Sequence, residues 1–188
     1  MERLEGYIVP LHKELIEGAQ GGNATAQYKL YNLYQKAMFN VALRITGDEM
    51  DAEDALQEAF ISAFKNIRQY RAEASFGAWL KRIVINKALT LVKKRQYFEL
   101  EDEEAIEENS YNDLEPVAEA NLQVEHIRKM VQLLPDGFRT VLSLYLFEGY
   151  DHSEIADIMG ITVSTSKSQF NRAKKKLREM INQEAKNG

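Results

Sequence analysis

The chain has 188 residues, 45% of them hydrophobic, with no cysteine and a formal net charge of −5. That length suits one large domain or two small ones, and no apolar run approaches the ~20 residues of a membrane span. Without cysteine there is no disulfide, thiolate metal site or cysteine nucleophile, and MERLEGYIVPLHKEL lacks the basic flank and apolar core of a secretory signal. A cytoplasmic protein is expected.

A negative sum argues against a general binder of polyanions, but distribution matters more than the sum. Basic residues dominate from Lys167 onward and cluster again at Lys81, Arg82, Lys87, Lys93, Lys94 and Arg95. The acids concentrate over 48–58 and 99–119. Two basic surfaces on an acidic background point to local DNA contact.

In chain order, residues 1–23 hold one weak amphipathic segment (Tyr7, Leu11, Leu15, Ile16) that ends in the turn GAQGGN. A longer helix is predicted from Ala24 to the Gly47 stop. Asp51 is then expected to cap a helix whose first turn carries Glu53 and Asp54, as the helix dipole favours. Leu56, Phe60, Ala63 and Ile67 recur at helical spacing and form its buried stripe. Asp54, Gln57, Glu58, Ile61 and Lys65 lie opposite. That face reads equally as a solvated helix side or as a docking surface for a basic partner.

The loop QYRAEAS (69–75) leads into a helix predicted from Phe76 to about Arg95, with Phe76, Trp79, Leu80, Ile83, Val84 and Leu91 as its core stripe. Trp79 is read as core because it falls on that stripe. An aromatic-bearing loop beside the amide and cations of Asn86, Lys87 and Lys93 suits a single or distorted DNA strand, held by stacking and phosphate pairing. Residues 98–120 are acidic, poor in core formers and interrupted by Pro116, which reads as a mobile linker. Helix signals resume at Val124, Ile127, Val131 and Leu134. Pro135 opens the next helix, whose Val141, Leu142, Leu144, Tyr145 and Leu146 suit the centre of a small four-helix domain.

The segment from Asp151 to Leu177 carries the sharpest local signal. Asp151 and Glu154 have capping-box spacing, Ile155, Ala156 and Met159 make an apolar stripe, and Gly160 stands where a helix end requires positive φ. Thr162 can cap the next helix through the N–H near Thr165. Ser166, Phe170, Ala173 and Leu177 then face inward, leaving Lys167, Ser168, Asn171, Arg172, Lys174, Lys175 and Arg178 outward. Ser164 and Thr165 are small enough to let the helix N-terminus approach phosphate. Read blandly, this is a helical hairpin with a solvated basic face. The agreement of cap, glycine and period favours a helix-turn-helix that places its second helix in a DNA major groove.

With both halves in view, the order of elements resembles the extracytoplasmic-function (ECF) sigma factors of the bacterial sigma-70 family. The resemblance spans about Glu14 to Met180 and is carried by DAEDALQEAFISAFKNI (51–67), SFGAWLKRIVINKAL (75–89) and the stretch from Leu134 to Leu177. It implies an all-α fold of two small helical domains joined by an acidic flexible linker. The expected divisions are an N-terminal extension (1–23), a region 2-like domain (24–95), a linker (96–122) and a region 4-like helix-turn-helix domain (123–188). It implies that Asp54, Gln57, Glu58 and Ile61 bind core RNA polymerase. Tyr70, Arg71, Ser75, Asn86 and Lys87 would meet the −10 promoter element. Ser164, Thr165, Lys167, Ser168, Asn171, Arg172 and Lys175 would meet the −35 element. An anti-sigma factor is an implied further partner, and the free chain is expected to be a monomer.

Two other classes compete. A repressor or activator with a C-terminal helix-turn-helix and an N-terminal sensing domain would ordinarily dimerise, and nothing in the sequence reads as a dimerisation heptad. An enzyme is disfavoured because His12, His126 and His152 lack metal-ligand spacing and no phosphate loop or nucleophile motif occurs, so no cofactor is expected. An acidic linker beside basic faces also suggests that the free chain closes on itself through exposed charge, a closure that salt would loosen.

Overall fold

The computed structural model describes residues 12–99 and 124–187, all of whose regular elements are helical. The elements are α1 (Lys13–Gln20), α2 (Ala24–Thr46), α3 (Glu49–Asn66), a 3-10 turn (Ile67–Gln69), α4 (Phe76–Glu99), α5 (Val124–Gln132), α6 (Asp136–Leu146), α7 (His152–Met159) and α8 (Val163–Asn187). Most of the expected linker lies outside the described residues, and its first part is the end of α4.

The first unit is a bundle of α2, α3 and α4 with α1 packed on α2. Asn23 caps α2 by accepting the Ala26 N–H at 3.0 Å, and Gly47 ends it at φ 69. Of the N-terminal segment, α1 buries Ile16 and Ala19, while the Gln20 amide donates to the carbonyls of Ile67 (3.1 Å) and Tyr70 (3.2 Å). Tyr7 and Leu11 lie outside the described residues.

Two expectations require correction here. Asp48, not Asp51, caps α3: its backbone is extended and its carboxylate accepts the Asp51 N–H at 2.9 Å. The helix starts directly after the Gly47 turn, leaving Asp51 in the first turn, where it pairs with Arg95 at 3.0 Å. The core face of α4 is also broader than the expected stripe. Ile85, Ala88, Leu89 and Val92 are buried with Phe76, Leu80 and Val84, whereas Trp79, Ile83 and Leu91 sit half-buried at its edges. Helix α4 packs against both α2 and α3, so a single stripe cannot describe it.

The second unit, α5–α8, packs α6 and α7 against α8 around Val131, Leu134, Leu142 and Ala173, with Phe138, Phe170 and Leu177 at the margin. Helix α6 was expected at the centre of this unit. It packs there on α8 and supplies Leu142, and it also joins the units, because its other side packs on α2 and delivers Val141 and Leu144 to the first unit's core. Ile155 of α7 joins the same core. Burying such a side chain contributes ~1.5–3 kcal/mol.

Polar contacts follow the same junction. The guanidinium of Arg139, only 4% exposed, reaches the end of α2, where helix carbonyls lack intrahelical partners. It donates to Ile45 O (3.1 Å) and Thr46 O (2.7 Å), and within its own unit to Leu134 O (2.8 Å) and to Asp136. Burial pulls its pKa down, and the Asp136 carboxylate pushes it back up. Arg95 bridges Asp51 and Asp136, the latter at 2.9 Å. Glu148, its side chain 4% exposed, pairs with Arg44 and, at 3.1 Å, with Lys81. The acidic linker expected to take part in closing the chain lies almost wholly outside the described residues; among those described, the two units meet through apolar, hydrogen-bonded and ion-paired contacts.

Candidate nucleic-acid and docking interfaces

Three surfaces carry the residues singled out by the sequence. The first is the helix-turn-helix. Asp151 accepts the N–H groups of Ser153 (2.7 Å) and Glu154 (2.9 Å), and the Glu154 carboxylate accepts the Asp151 N–H in return. Helix α7 ends at Gly160, φ 71, and Thr162 Oγ1 accepts the Thr165 N–H at 3.0 Å to start α8. These contacts fix the angle at which α8 leaves the turn. Ser166 and Ala173 are fully buried against the rest of the unit. Ser166 Oγ lies 2.9 Å from His152 Nδ1, and the His152 ring stacks on Tyr145 at 4.8 Å.

The outer side of α8 presents Ser164, Lys167, Asn171, Arg172 and Lys175 to solvent, with Thr165 and Ser168 half-buried among them. Ser168 Oγ donates back to Thr165 O at 3.0 Å. Lys174 leans over the Phe170 ring at 4.7 Å, and Arg178 is half-buried, so both sit less outward than the sequence suggested. A helix with exposed amide, hydroxyl and cationic groups in successive turns can meet base edges and phosphates together.

The second surface is the loop before α4. Arg71 to Ser75 are exposed, and Ala72 holds a left-handed φ of 58, a strained conformation of the sort found at binding loops. Ser75 caps α4 by accepting the Ala78 N–H at 3.2 Å, and Asn86 is exposed on that helix. Tyr70 is the exception among the expected contacts. It is 7% exposed, its ring lies against Phe76 and Trp79, and its hydroxyl donates to Ala74 O at 2.7 Å. Burial, with Tyr34 nearby, raises its phenol pKa, so it remains a donor. Tyr70 therefore shapes the loop from beneath, and its ring offers no open face for a base to stack on. The Tyr70, Phe76 and Trp79 rings form one rigid floor under the exposed loop.

The third surface is the outer side of α3. Asp54, Gln57 and Glu58 are exposed, and Ile61 is 69% exposed. Glu58 reaches Lys87 of α4 at 3.2 Å, so this acidic surface adjoins the second one. A shallow groove runs beside Gln57, lined by Tyr31, Gln35, Lys36, Phe39, Glu53 and Leu56. Sequence reasoning missed its α2 wall, because those side chains are scattered along a helix read mainly for its core.

Comparison with known proteins matches the two units separately. Residues 30–97 fit the family profile Sigma-70 region 2, and residues 125–177 fit Sigma-70, region 4. The RNA polymerase sigma-H factor of Pseudomonas aeruginosa is 32% identical over 172 residues, covering 86% of this chain and 89% of that protein. The chain belongs to the sigma-70 family. The ECF RNA polymerase sigma factor SigW of Bacillus subtilis is 28% identical over 179 residues, covering 90% of this chain and 96% of the relative. A solved sigma factor, RpoE of Bartonella quintana in complex with the anti-sigma factor NepR, shares the fold with a TM-score of 0.55 and 21% identity. It covers 82% of this chain and 96% of that one.

The protein is thus an ECF sigma factor, which binds core RNA polymerase and directs it to promoters. As a sigma factor it carries region 2 on α2–α4 and region 4 on α5–α8. Among the described residues no helix is long and apolar enough to cross a membrane.

Proposed function

We propose that the sigma factor distributes its work over the three surfaces. The outer side of α3 docks on core polymerase through Asp54, Gln57, Glu58 and Ile61. The loop at Arg71 to Ser75, with Asn86 and Lys87, receives the −10 strand. The outer side of α8 reads the −35 duplex through Ser164, Thr165, Lys167, Ser168, Asn171, Arg172 and Lys175. Residues 24–95 and 123–188 are the corresponding domains, with 1–23 as the extension and 96–122 as the linker. The protein acts in the cytoplasm, without chemistry of its own, and as a monomer when free. An anti-sigma factor restrains it, a reading supported by the likeness to a sigma factor solved with such a partner.

The single observation that carries this assignment is the exposure of Ile61 among acids. An apolar side chain 69% exposed beside Asp54, Gln57 and Glu58 suits a partner surface that is basic with an apolar centre. Reversing Asp54 and Glu58 to Lys is expected to weaken core-polymerase binding by about 1.5–7 kcal/mol per close charge pair lost. Pull-down of core enzyme, with helicity checked by circular dichroism, reads the effect. Unchanged capture by a folded double variant contradicts the docking assignment.

A further inference from the structure

Helix α1 precedes the segment that matches region 2, yet its last residue is tied to the stem of the loop before α4. Ile16 and Ala19 bury its apolar side, and Gly18 lets it lie close on α2, since a Cβ there would stand 3.1 Å from Ala26 Cβ. Gln20 then reaches across to the 3-10 turn, its side-chain amide donating to Ile67 O at 3.1 Å and to Tyr70 O at 3.2 Å. In return Arg68 Nε donates to Gln20 O at 3.1 Å, at a helix end whose last carbonyls lack intrahelical partners. A helix that only covered the core would need its apolar side alone.

Tyr70 is thereby held at both ends. Its carbonyl takes the Gln20 amide, its hydroxyl donates to Ala74 O at 2.7 Å, and its ring lies 5.5 Å from Phe76 and 5.4 Å from Trp79. The hydroxyl bridges the two stems of the loop, and Ser75 anchors the far stem by capping α4. Between those anchors stand Arg71, Ala72 and Glu73, all exposed, with Ala72 at φ 58. A left-handed alanine persists only where its surroundings over-determine it. Gln20 and the Tyr70 hydroxyl supply that constraint from opposite sides.

We propose that Gln20 is a positioning residue for the −10 strand, through which α1 braces the Arg71–Ser75 loop in the shape that receives the strand. The strand then meets a loop already ordered, and less affinity is lost to ordering it. Base preference follows the shape of the loop, so the brace tunes which strand is accepted as well as how tightly. The N-terminal helix thus takes part in promoter reading without touching DNA. The proposal rests on the assignment of the loop to the −10 strand made above.

The full-length chain, alone and combined with core polymerase, provides the test. Gln20→Glu keeps the shape of the side chain but sets a carboxylate oxygen, which cannot donate, against two carbonyls. Tyr70→Phe removes only the hydroxyl and keeps the ring on its floor, so a second variant remains if the first misfolds. Circular dichroism on heating shows which variants are folded. Trp79 is the single tryptophan of the chain, and its quenching by acrylamide reads how firmly the Tyr70 floor is held. The holoenzyme is then offered a pool of single DNA strands of randomised sequence. Sequencing of the bound fraction gives base preference, and anisotropy of the strands that wild type selects gives affinity. If the unbraced loop holds the receiving shape about one tenth of the time, affinity for those strands falls about tenfold. Preference should flatten at neighbouring positions and Trp79 should become more quenchable, while capture of core polymerase stays unchanged. A merely structural role would lower the melting temperature without moving base preference, and that result overturns the proposal. If Asn86→Ala weakens strand binding and Gln20→Glu does not, the brace alone is overturned. If Asn86→Ala and Arg71→Ala are also without effect, the strand-reading assignment falls and the proposal with it.

Discussion

The two units differ in how they are held together. Region 2 has a continuous core along α2, α3 and α4, in which whole turns of alanine and branched residues are buried. Among the described residues, region 4 has a smaller core of its own around Val131, Leu134, Leu142 and Ala173, and it lends Val141, Leu144 and Ile155 to its neighbour. A unit of roughly 60 residues buries a smaller fraction of its surface and is marginal by itself. Leaning on region 2 offsets that shortage. The polarity of the surfaces follows the same division, with acids on the outer side of α3 and cations on the outer side of α8. On the proposed assignment of surfaces, the larger unit supplies the docking side, while the smaller one supplies an exposed reading helix on borrowed support.

The sharpest way to break this comparison is to empty the shared core from the side of the smaller unit. Leu144→Ala should cost ~2–5 kcal/mol and lower the melting of both units together, because Leu144 is buried in the region 2 core. Leu142→Ala removes a residue of the region 4 core and should leave region 2 amides protected in hydrogen exchange. Equal loss of region 2 protection in the two variants would erase the distinction. A smaller effect is expected on the reading helix, where nothing is shared. Arg172→Ala should cost ~1–3 kcal/mol of promoter affinity and relax preference at one base if it meets a base edge. Lys167→Ala should lower affinity evenly and flatten the salt dependence if it meets only phosphate. Promoter binding assayed across salt and sequence separates the two.

Much of this was legible before the fold was known. The helix-turn-helix was fully written in Asp151, Glu154, Gly160 and Thr162, because capping is local and each signal lies within a few residues of what it satisfies. The outward side of α3 was legible for the same reason, since periodicity separates Ile61 from Phe60. Tyr70 was misplaced because a tyrosine in a polar loop reads as exposed. Its burial depends on Phe76 and Trp79 meeting it from the next helix. Arg139 was passed over for a similar reason. A lone cation in an apolar helix announces that something must pair it, but the partner is a set of carbonyls 93 and 94 residues away in the chain. Contacts between distant segments leave no local period to read.

The claim that two readers share one core is tested most directly by differential scanning calorimetry of the intact chain. The account predicts that Leu144→Ala lowers the melting of both units together, whereas Leu142→Ala lowers that of region 4 and spares region 2. Two resolved transitions, with the smaller one removed by Leu142→Ala and untouched by Leu144→Ala, would contradict it.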